Sequence, residues 1–432
     1  MESVNKSRLN NPWFICFIAS LFFFYEFIQM TFLNSVSEPV MKSFSVDAAQ
    51  LANLSACYFY MDALFLIPAG LLIDKYPTKW LLVLAMSCSV CGTLIFSFAN
   101  QVYIAELSRL LSGMAGSFVF IGCVKLITRW FPLNKISFVI GLFITFGYIG
   151  GIVGQTPFTI ISDHFGWHIA LRFLAYFGIL VIFLITVFVK SSPVDSTENR
   201  NQISPIKTKP LSLKDKISLA CLNPYTWTGG LYTTLMNLPI IVLAALWSGL
   251  YLQEVDHFTN ISSSFIVTAL FFGVIIGSPL MGWLSDSVVR KKPIMLIGAI
   301  GSFLVILGII FINNNSLLVV STLFFLLGLF SSAQCMGYPI IIENNRLELT
   351  GLASSVGSIL IMGAGSLLKV FFGWLLDLQW QGTMQNGIPI YSSYNFKVAF
   401  IIFPVAFVIA TIIALLTRET ASRHTQKTDI IY

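Results

Sequence analysis

The stretch at residues 70–80, "GLLIDKYPTKW", places one aspartate and two lysines between two apolar segments that are each long enough to cross a bilayer. A second stretch at residues 282–292, "GWLSDSVVRKK", repeats the glycine and the aspartate and also continues with basic residues. Asp74 and Asp286 lie 212 positions apart (286 − 74), as do the two glycines. This repeat indicates a chain built from two equivalent halves.

The composition of the 432-residue chain is typical of an integral membrane protein. Hydrophobic residues make up 56% and charged residues 10%, whereas a soluble domain has about 25% charged residues. Apolar stretches of about 20 residues recur along the chain, and each would cross a hydrocarbon core of about 30 Å as a helix. We predict about twelve transmembrane helices, at residues 12–34, 50–73, 79–99, 102–128, 134–162, 168–190, 226–252, 260–285, 293–312, 316–342, 349–377 and 395–417.

The polar residues predict the organisation and the orientation of these helices. We expect a first six-helix half at 1–190, a cytoplasmic linker at 191–222, a second six-helix half at 223–420 and a cytoplasmic tail at 421–432. With both termini in the cytoplasm, 19 of the 25 lysines and arginines lie on the cytoplasmic side, as the positive-inside rule requires. The net charge of +6 is explained by this orientation and needs no nucleic-acid partner.

The duplicated loop resembles the signature of the major facilitator superfamily, Gly-x-x-x-Asp-(Arg/Lys)-x-Gly-(Arg/Lys)-(Arg/Lys). Pro77 and Thr78 depart from that signature in the first copy, and Ser287 departs from it in the second. The matching residues are Gly70, Asp74, Lys75 and Lys79 in the first copy and Gly282, Asp286, Arg290 and Lys291 in the second.

The resemblance implies an all-α membrane protein with twelve transmembrane helices in two six-helix halves, which acts as a monomer and transports by alternating access. We expect the two loop glycines to let helices approach closely. We expect Asp74 and Asp286 to act in gating and not in substrate recognition, because they lie away from the membrane midplane.

Two further segments resemble the same family. "RLLSGMAGS" at 109–117 is similar to its fourth-helix motif, and "GYIGGIVGQTP" at 147–157 is similar to its glycine-rich fifth helix. The Gly-Pro pair of the antiporter form is absent from the second segment, which argues against drug or proton antiport. The longer run at 121–158 more closely resembles the phagosomal-transporter-type nutrient carriers of intracellular bacteria and related lysosomal dipeptide carriers.

Ionisable residues inside a membrane helix cost several kcal/mol unless they are paired or hydrated, and five of those in the predicted helices stand out. Glu26 and Arg109 have similar depths and could pair, either facing the substrate, as helices 1 and 4 do in the family, or only stabilising the first half. Asp62 and Lys369 could close a gate as a salt bridge, or Asp62 could carry a proton. Lys125 either extends toward the cytoplasm or binds a substrate carboxylate.

Neutral polar and aromatic residues of the central helices complete the predicted substrate site. Asn237 lies two residues before Pro239, so we expect helix 7 to be distorted there and to leave backbone groups free for a substrate. The other candidates are Tyr25, Gln29 and Tyr58 in the first half and Tyr232, Trp247, Gln334 and Tyr338 in the second.

The sequence argues against an enzyme and against a cofactor or metal site. It contains no Gly-x-x-x-x-Gly-Lys-(Ser/Thr) loop for nucleotide phosphates. The "CSVC" at 88–91 has the spacing of a metal pair, but no second pair completes it. His164 and His168 are spaced like metal ligands, although a glycine in a short loop separates them.

We therefore predict a secondary transporter of the bacterial inner membrane that moves a small polar nutrient, with an amino acid or a short peptide as the preferred substrate. Proton symport and passive uniport remain alternatives, because Glu26 and Asp62 are the acids deep in the helices and either mechanism accommodates them. A siderophore or organic-anion carrier is the rival within transport, and a membrane receptor is the rival outside it.

Overall fold

The structure, a computed structural model, describes residues 11–190, 213–288, 290–312, 316–345, 349–385 and 388–417. These residues form an almost entirely helical protein. In a bilayer every backbone N–H and C=O must be bonded within its own segment, and an apolar helix meets this requirement without a partner strand.

Twelve helices of the described residues are long and apolar enough to cross a membrane, so the predicted all-α fold class is confirmed. Every predicted segment overlaps one of them. In chain order they are α1 Pro12–Ser35, α2 Ala48–Ile73, α3 Thr78–Ser97, α4 Val102–Trp130, α5 Val139–Phe165, α6 Trp167–Phe188, α7 Pro224–Glu254, α8 Asn260–Ser285, α9 Lys292–Phe311, α10 Leu317–Asn344, α11 Leu352–Leu378 and α12 Ser393–Leu416.

Two of these helices contain segments with a different helical geometry. In α7 the α-helix Pro224–Met236 is followed by a π-helix at Pro239–Trp247 and by a last α-helix at Ser248–Glu254. In α10 a 3₁₀ segment at Ser332–Met336 separates Leu317–Ser331 from Gly337–Asn344. The distortion expected in helix 7 next to Pro239 is therefore present. Such irregular segments in transporters commonly mark binding sites.

Shorter elements connect the spanning helices. A helix at Ser37–Phe44 lies between α1 and α2, and another at Leu213–Leu222 precedes α7. Between α11 and α12 a small antiparallel hairpin pairs Met384–Gln385 with Ile388–Pro389.

The chain forms two compact units. The first unit holds Cys57–Gly154 together with the described parts of 1–30 and 161–215. The second unit holds Thr31–Ala56, Gln155–Ile160 and the described residues from Lys216 onward. One end of α1, one end of α2 and a short part of α5 thus belong to the second unit.

Close helix packing in the first unit depends on glycines of the family-like segments. A methyl group at Gly113 on α4 would collide with the backbone oxygen of Tyr58 on α2, and one at Gly150 on α5 would collide with the backbone oxygen of Phe24 on α1. Only a glycine lets the two backbones approach this far.

The loop glycines behave differently, and the close approach expected there is not observed. Among the described residues, a methyl group at Gly70 would meet Ile121 alone, at 3.9 Å, and one at Gly282 would meet no atom within 4 Å. The expectation was wrong because the helices near these two glycines are spaced widely enough for an ordinary side chain. Tight crossings lie at other glycines, such as Gly113 and Gly150.

Candidate functional site

A buried polar cluster lies in the first unit and contains most of the residues that the sequence singled out there. We define the buried polar cluster as Tyr25, Glu26 and Gln29 on α1, Tyr58 and Asp62 on α2, Ser89 and Thr93 on α3, and Arg109 on α4. Glu26 lies nine residues from the end of α1 at Ser35, which is about 14 Å along a helix. The cluster is therefore deep within the spanning segments.

Both oxygens of the Glu26 carboxylate accept hydrogen bonds. Its Oε1 accepts a hydrogen bond from Ser89 Oγ at 2.6 Å, and its Oε2 accepts one from Tyr58 Oη at 2.8 Å. The side chain is only 1% exposed. Two hydroxyl donors on two other helices therefore fix its position, which fits the general rule that a buried charge is hydrogen-bonded.

Arg109 belongs to the same cluster and is also 1% exposed. Its Nη1 donates to the backbone oxygen of Gln29 at 2.9 Å and to Gln29 Oε1 at 3.4 Å. Its guanidinium carbon lies 4.9 Å from the centre of the Tyr58 ring, a cation–π distance. Tyr58 therefore connects the predicted pair, since its hydroxyl bonds to Glu26 and its ring faces Arg109.

A second set of hydrogen bonds fixes α1 against α3 and orients the residue that holds Arg109. Tyr25 Oη and Thr93 Oγ1 share a hydrogen bond of 2.6 Å. Gln29 Nε2 donates to Tyr25 Oη at 3.2 Å and also to Thr93 Oγ1. The Gln29 side chain, whose oxygen accepts from Arg109, is thus locked by two partners.

Asp62 differs from Glu26 in its surroundings. It lies one turn after Tyr58 on α2 and is 7% exposed. No residue of the part of the first unit that the structure describes donates a hydrogen bond to its carboxylate or forms an ion pair with it. The two acids of the buried polar cluster are therefore not equivalent.

The small residues of segment 109–117 in α4 leave space for the buried polar cluster. A methyl group at Gly116 would lie 2.5 Å from Tyr58 Oη and 3.4 Å from Glu26 Oε2. The small residues after Arg109 thus allow the Tyr58 hydroxyl to reach Glu26, in addition to the backbone contact at Gly113.

Lys125 does not join the buried polar cluster. Its Nζ donates to the backbone oxygen of Ile73, the last residue of α2. An ammonium group at a helix C-terminus interacts favourably with the free carbonyls there. Of the two alternatives from the sequence, this contact favours the orientation toward the helix end.

The first loop copy is described in part. The Nζ atoms of Lys75 and Lys79 lie 5.6 Å and 5.4 Å from the ring centres of Tyr76 and Trp80. The side chain of Asp74 lies outside the described residues. These cation–aromatic pairs are typical of a membrane–water boundary.

In the second copy, Lys291 forms an ion pair with Glu343 at the end of α10. Lys292 Nζ donates to the backbone oxygen of Leu415 at 2.5 Å. Arg290 is exposed, and the side chain of Asp286 lies outside the described residues. Lys291 and Lys292 therefore contact the ends of α10 and α12, respectively.

In the second unit, three of the predicted candidates are occupied by structural contacts. Tyr232 Oη donates to the backbone oxygen of Met295 at 2.9 Å. Lys369 is completely buried and donates to Ser55 Oγ at 3.0 Å, while Trp247 Nε1 donates to the backbone oxygen of Lys369 at 3.3 Å. These contacts hold helices together.

Asn237 and Gln334 have unused hydrogen-bonding capacity among the described residues. Gln334 is 7% exposed, and its Nε2 is buried without a hydrogen-bond partner in the described part of the chain. The half-buried Asn237 side chain forms no hydrogen bond there either. Thr233 Oγ1, one turn before Asn237, donates to the backbone oxygen of Gln334 at 3.0 Å. Tyr338, one turn after Gln334 on α10, shares a hydrogen bond of 3.1 Å with Ser358.

Comparison with known proteins identifies a family of membrane transporters. The Major Facilitator Superfamily model matches residues 15–368 and 260–430. A probable sulfoacetate transporter of Cupriavidus necator is 22% identical over 396 residues, which cover 86% of this chain and 89% of that protein. A probable hexose phosphate transport protein of Chlamydia pneumoniae is 22% identical and covers 74% of this chain and 75% of that protein.

A solved structure shows the same fold. A bacterial homologue of the human lysosomal transporter Spinster, in an inward-facing and unoccupied conformation, superposes with a TM-score of 0.71. The sequences are 16% identical, and the match covers 96% of this chain and 98% of that one. At this identity the likeness concerns the fold alone.

Proposed function

Because the chain belongs to the major facilitator superfamily and is a membrane transporter of that type, we propose that it moves a small polar solute with an ionised group by alternating access. The observation that supports this best is the deep burial of Arg109 and Glu26, joined through Tyr58. Charged residues inside a membrane span are costly and are found where function requires them. We propose the bacterial inner membrane as its location, with both termini in the cytoplasm.

An amino acid or a short peptide is our first substrate candidate. Its carboxylate would bind at Arg109, and its ammonium group would need an acid. Both oxygens of Glu26 already accept hydrogen bonds, whereas Asp62 accepts none from the described residues of its unit. We therefore place the ammonium partner at Asp62.

An organic anion is the second candidate, and a different observation favours it. The two curated relatives are named for sulfoacetate and hexose phosphate, which are both anions. A solute of this class would need the positive charge of Arg109 but no acid at position 62. Asp62 thus separates the two substrate classes.

In the second unit we propose Asn237 and Gln334 as solute contacts. Their amide groups have unused hydrogen-bonding capacity among the described residues. Asn237 lies two residues before the π-helix of α7, and Gln334 lies within the 3₁₀ segment of α10. Amides offer both donors and acceptors, so they would recognise a neutral polar group such as a hydroxyl or a carbonyl.

Proton coupling is a further part of the proposal. A symporter needs an acid that takes up and releases a proton as its access to water alternates, and Asp62 and Glu26 are the candidates in the buried polar cluster. The finer resemblance to nutrient carriers of intracellular bacteria supports a nutrient as the solute.

The test is uptake of labelled solutes into proteoliposomes, with and without a pH gradient. The panel comprises amino acids, dipeptides, a sulfonate, a sugar phosphate, an aldonate, an iron chelate and, as the uncharged comparison, a neutral sugar. For a zwitterionic substrate, Asp62→Asn should abolish uptake, whereas for an organic anion it should spare exchange. Glu38→Gln, which removes an exposed acid, is the control. Uptake of only uncharged solutes would contradict the proposal.

A further inference from the structure

We propose that Asp377 is a positioning residue that caps helix α2 from the other half of the molecule and so stabilises the closed form of one end of the second unit. The inference rests on the proposed alternating access, because it assigns this residue a role in only one conformation. The end concerned carries the start of α2 and the end of α11, and the charge pattern predicts that it faces outward.

The contacts of Asp377 are made with the first turn of α2. Its Oδ1 accepts from the backbone N–H of Ala48 at 3.3 Å, and its Oδ2 accepts from that of Ala49 at 2.7 Å. Tyr391, in the loop before α12, donates its hydroxyl to Asp377 Oδ1 at 2.5 Å and accepts from the Ala48 N–H at 2.9 Å. We call Asp377 and Tyr391 with these two N–H groups the Asp377 latch.

The first N–H groups of a helix have no partner within the helix and need acceptors from elsewhere. In α2 the local chain supplies only some of them. Asp47 Oδ1 accepts from the N–H of Gln50 at 2.8 Å, and Gln50 Oε1 accepts from the N–H of Asp47 at 3.1 Å, which forms a reciprocal cap. The N–H groups of Ala48 and Ala49 depend on residues more than 320 positions away in the sequence.

This arrangement makes the cap dependent on conformation. A cap from the residue that precedes a helix moves with that helix and stabilises every state equally. Asp377 lies on α11, in the other sequence half, so opening this end separates the carboxylate from the N-terminus of α2. Its negative charge is stabilised by the positive end of the helix dipole only while the end is closed.

A second hydrogen-bond network at the same end shares no residue with the Asp377 latch. Asn34 Oδ1 accepts from the N–H of Gly249 at 2.8 Å, and Asn34 Nδ2 donates to Gln155 Oε1 at 2.8 Å. Gln155 Nε2 in turn donates to the backbone oxygen of Ala244 at 2.8 Å. This network joins α1, α5 and α7, so the Gly249 N–H reports opening of the whole end and not only of α2.

The test is amide hydrogen exchange of the full-length protein in nanodiscs, measured by mass spectrometry. Hydrogen bonds to a charged acceptor are worth about 1.5–3 kcal/mol, and each 1.4 kcal/mol corresponds to a tenfold change. For Asp377→Asn we expect about ten- to a hundredfold faster exchange both at Ala48–Gln50 and at Gly249. Glu38→Gln removes an exposed acid from the neighbouring short helix and should leave both segments unchanged.

Faster exchange confined to the first turn of α2 would show a local cap without a latch and would overturn the inference, as would exchange equal to that of Glu38→Gln. If Asp377→Asn does not insert, Tyr391→Phe keeps the carboxylate and removes one bond. It should give a smaller rise at both segments, and no rise at Gly249 would again overturn the inference. The measurement needs no solute, so its outcome is independent of the substrate proposal.

Discussion

Gly116→Ala should disrupt the buried polar cluster without adding or removing a polar group. The new methyl carbon would lie 2.5 Å from Tyr58 Oη, 3.1 Å from Tyr58 Cζ and 3.4 Å from Glu26 Oε2. The first two distances are too short for carbon–oxygen and carbon–carbon contacts, so the Tyr58 ring must move. The hydroxyl that donates to Glu26 at 2.8 Å would move with it.

The expected cost follows from two overlapping effects. Forcing an extra methyl group into a packed interior costs about 1–3 kcal/mol, and losing a hydrogen bond to a charged acceptor costs about 1.5–3 kcal/mol. Because one movement of Tyr58 relieves the clash and breaks the bond, we expect a loss of about 2–4 kcal/mol in the free energy of unfolding.

Gly141→Ala is the matched control, because a methyl group there would meet no atom of the described part of the chain within 4 Å. Both positions are helical, so the higher helix propensity of alanine should stabilise each variant by about 1 kcal/mol. Thermal unfolding in detergent should give a clearly lower melting temperature for Gly116→Ala and an unchanged or higher one for Gly141→Ala. Equal melting temperatures for the two variants would refute the assignment of Gly116 as the space that Tyr58 needs.

Three further outcomes are expected. Burial raises the pKa of Asp256, between α7 and α8, to about 6. The contribution of this carboxyl group to the free energy of unfolding is therefore complete below about pH 4 and is lost as the pH rises through 6. Asp256→Asn should flatten this part of the profile of stability against pH. Tyr232→Phe removes the donor to the Met295 oxygen, so it should lower the melting temperature but leave the affinity for the solute unchanged in binding titrations. Lys291→Ala should change the free energy of unfolding by at most about 1 kcal/mol, because its ion pair with Glu343 is partly exposed. A larger loss in denaturant unfolding would contradict this expectation and would indicate that Lys291 belongs to a larger network of charges.

Hydropathy predicted all twelve spanning helices because the bilayer leaves no alternative for an apolar chain of that length. The position of Pro239 predicted the distortion of α7, because a proline has no N–H for the helix. The 3₁₀ segment at Ser332–Met336 was not predicted, although Pro339, three residues after it, has no N–H to donate to the Cys335 oxygen. The close approach of Gly337 to Gly229 next to this segment is a tertiary contact, and one sequence does not show it.

Part of the candidate site could also be predicted from the sequence. Glu26, Tyr58 and Arg109 were predictable because polar groups in an apolar helix stand out. Ser89 and Thr93 were missed, since a helical hydroxyl can bond to its own backbone, as Thr93 also does to the Ser89 oxygen. Asp377 was missed because an acid near the end of a spanning helix looks like a residue facing water.

The central claim is that the chain carries a small polar solute whose ionised group is recognised at Arg109. Counterflow in proteoliposomes tests it most directly, with the solute panel above and with wild type, Arg109→Gln and Glu38→Gln compared at equal protein content. We predict that wild type and Glu38→Gln accumulate a solute with a carboxylate, sulfonate or phosphate group, and that Arg109→Gln does not. Equal accumulation of that solute by Arg109→Gln would contradict the claim.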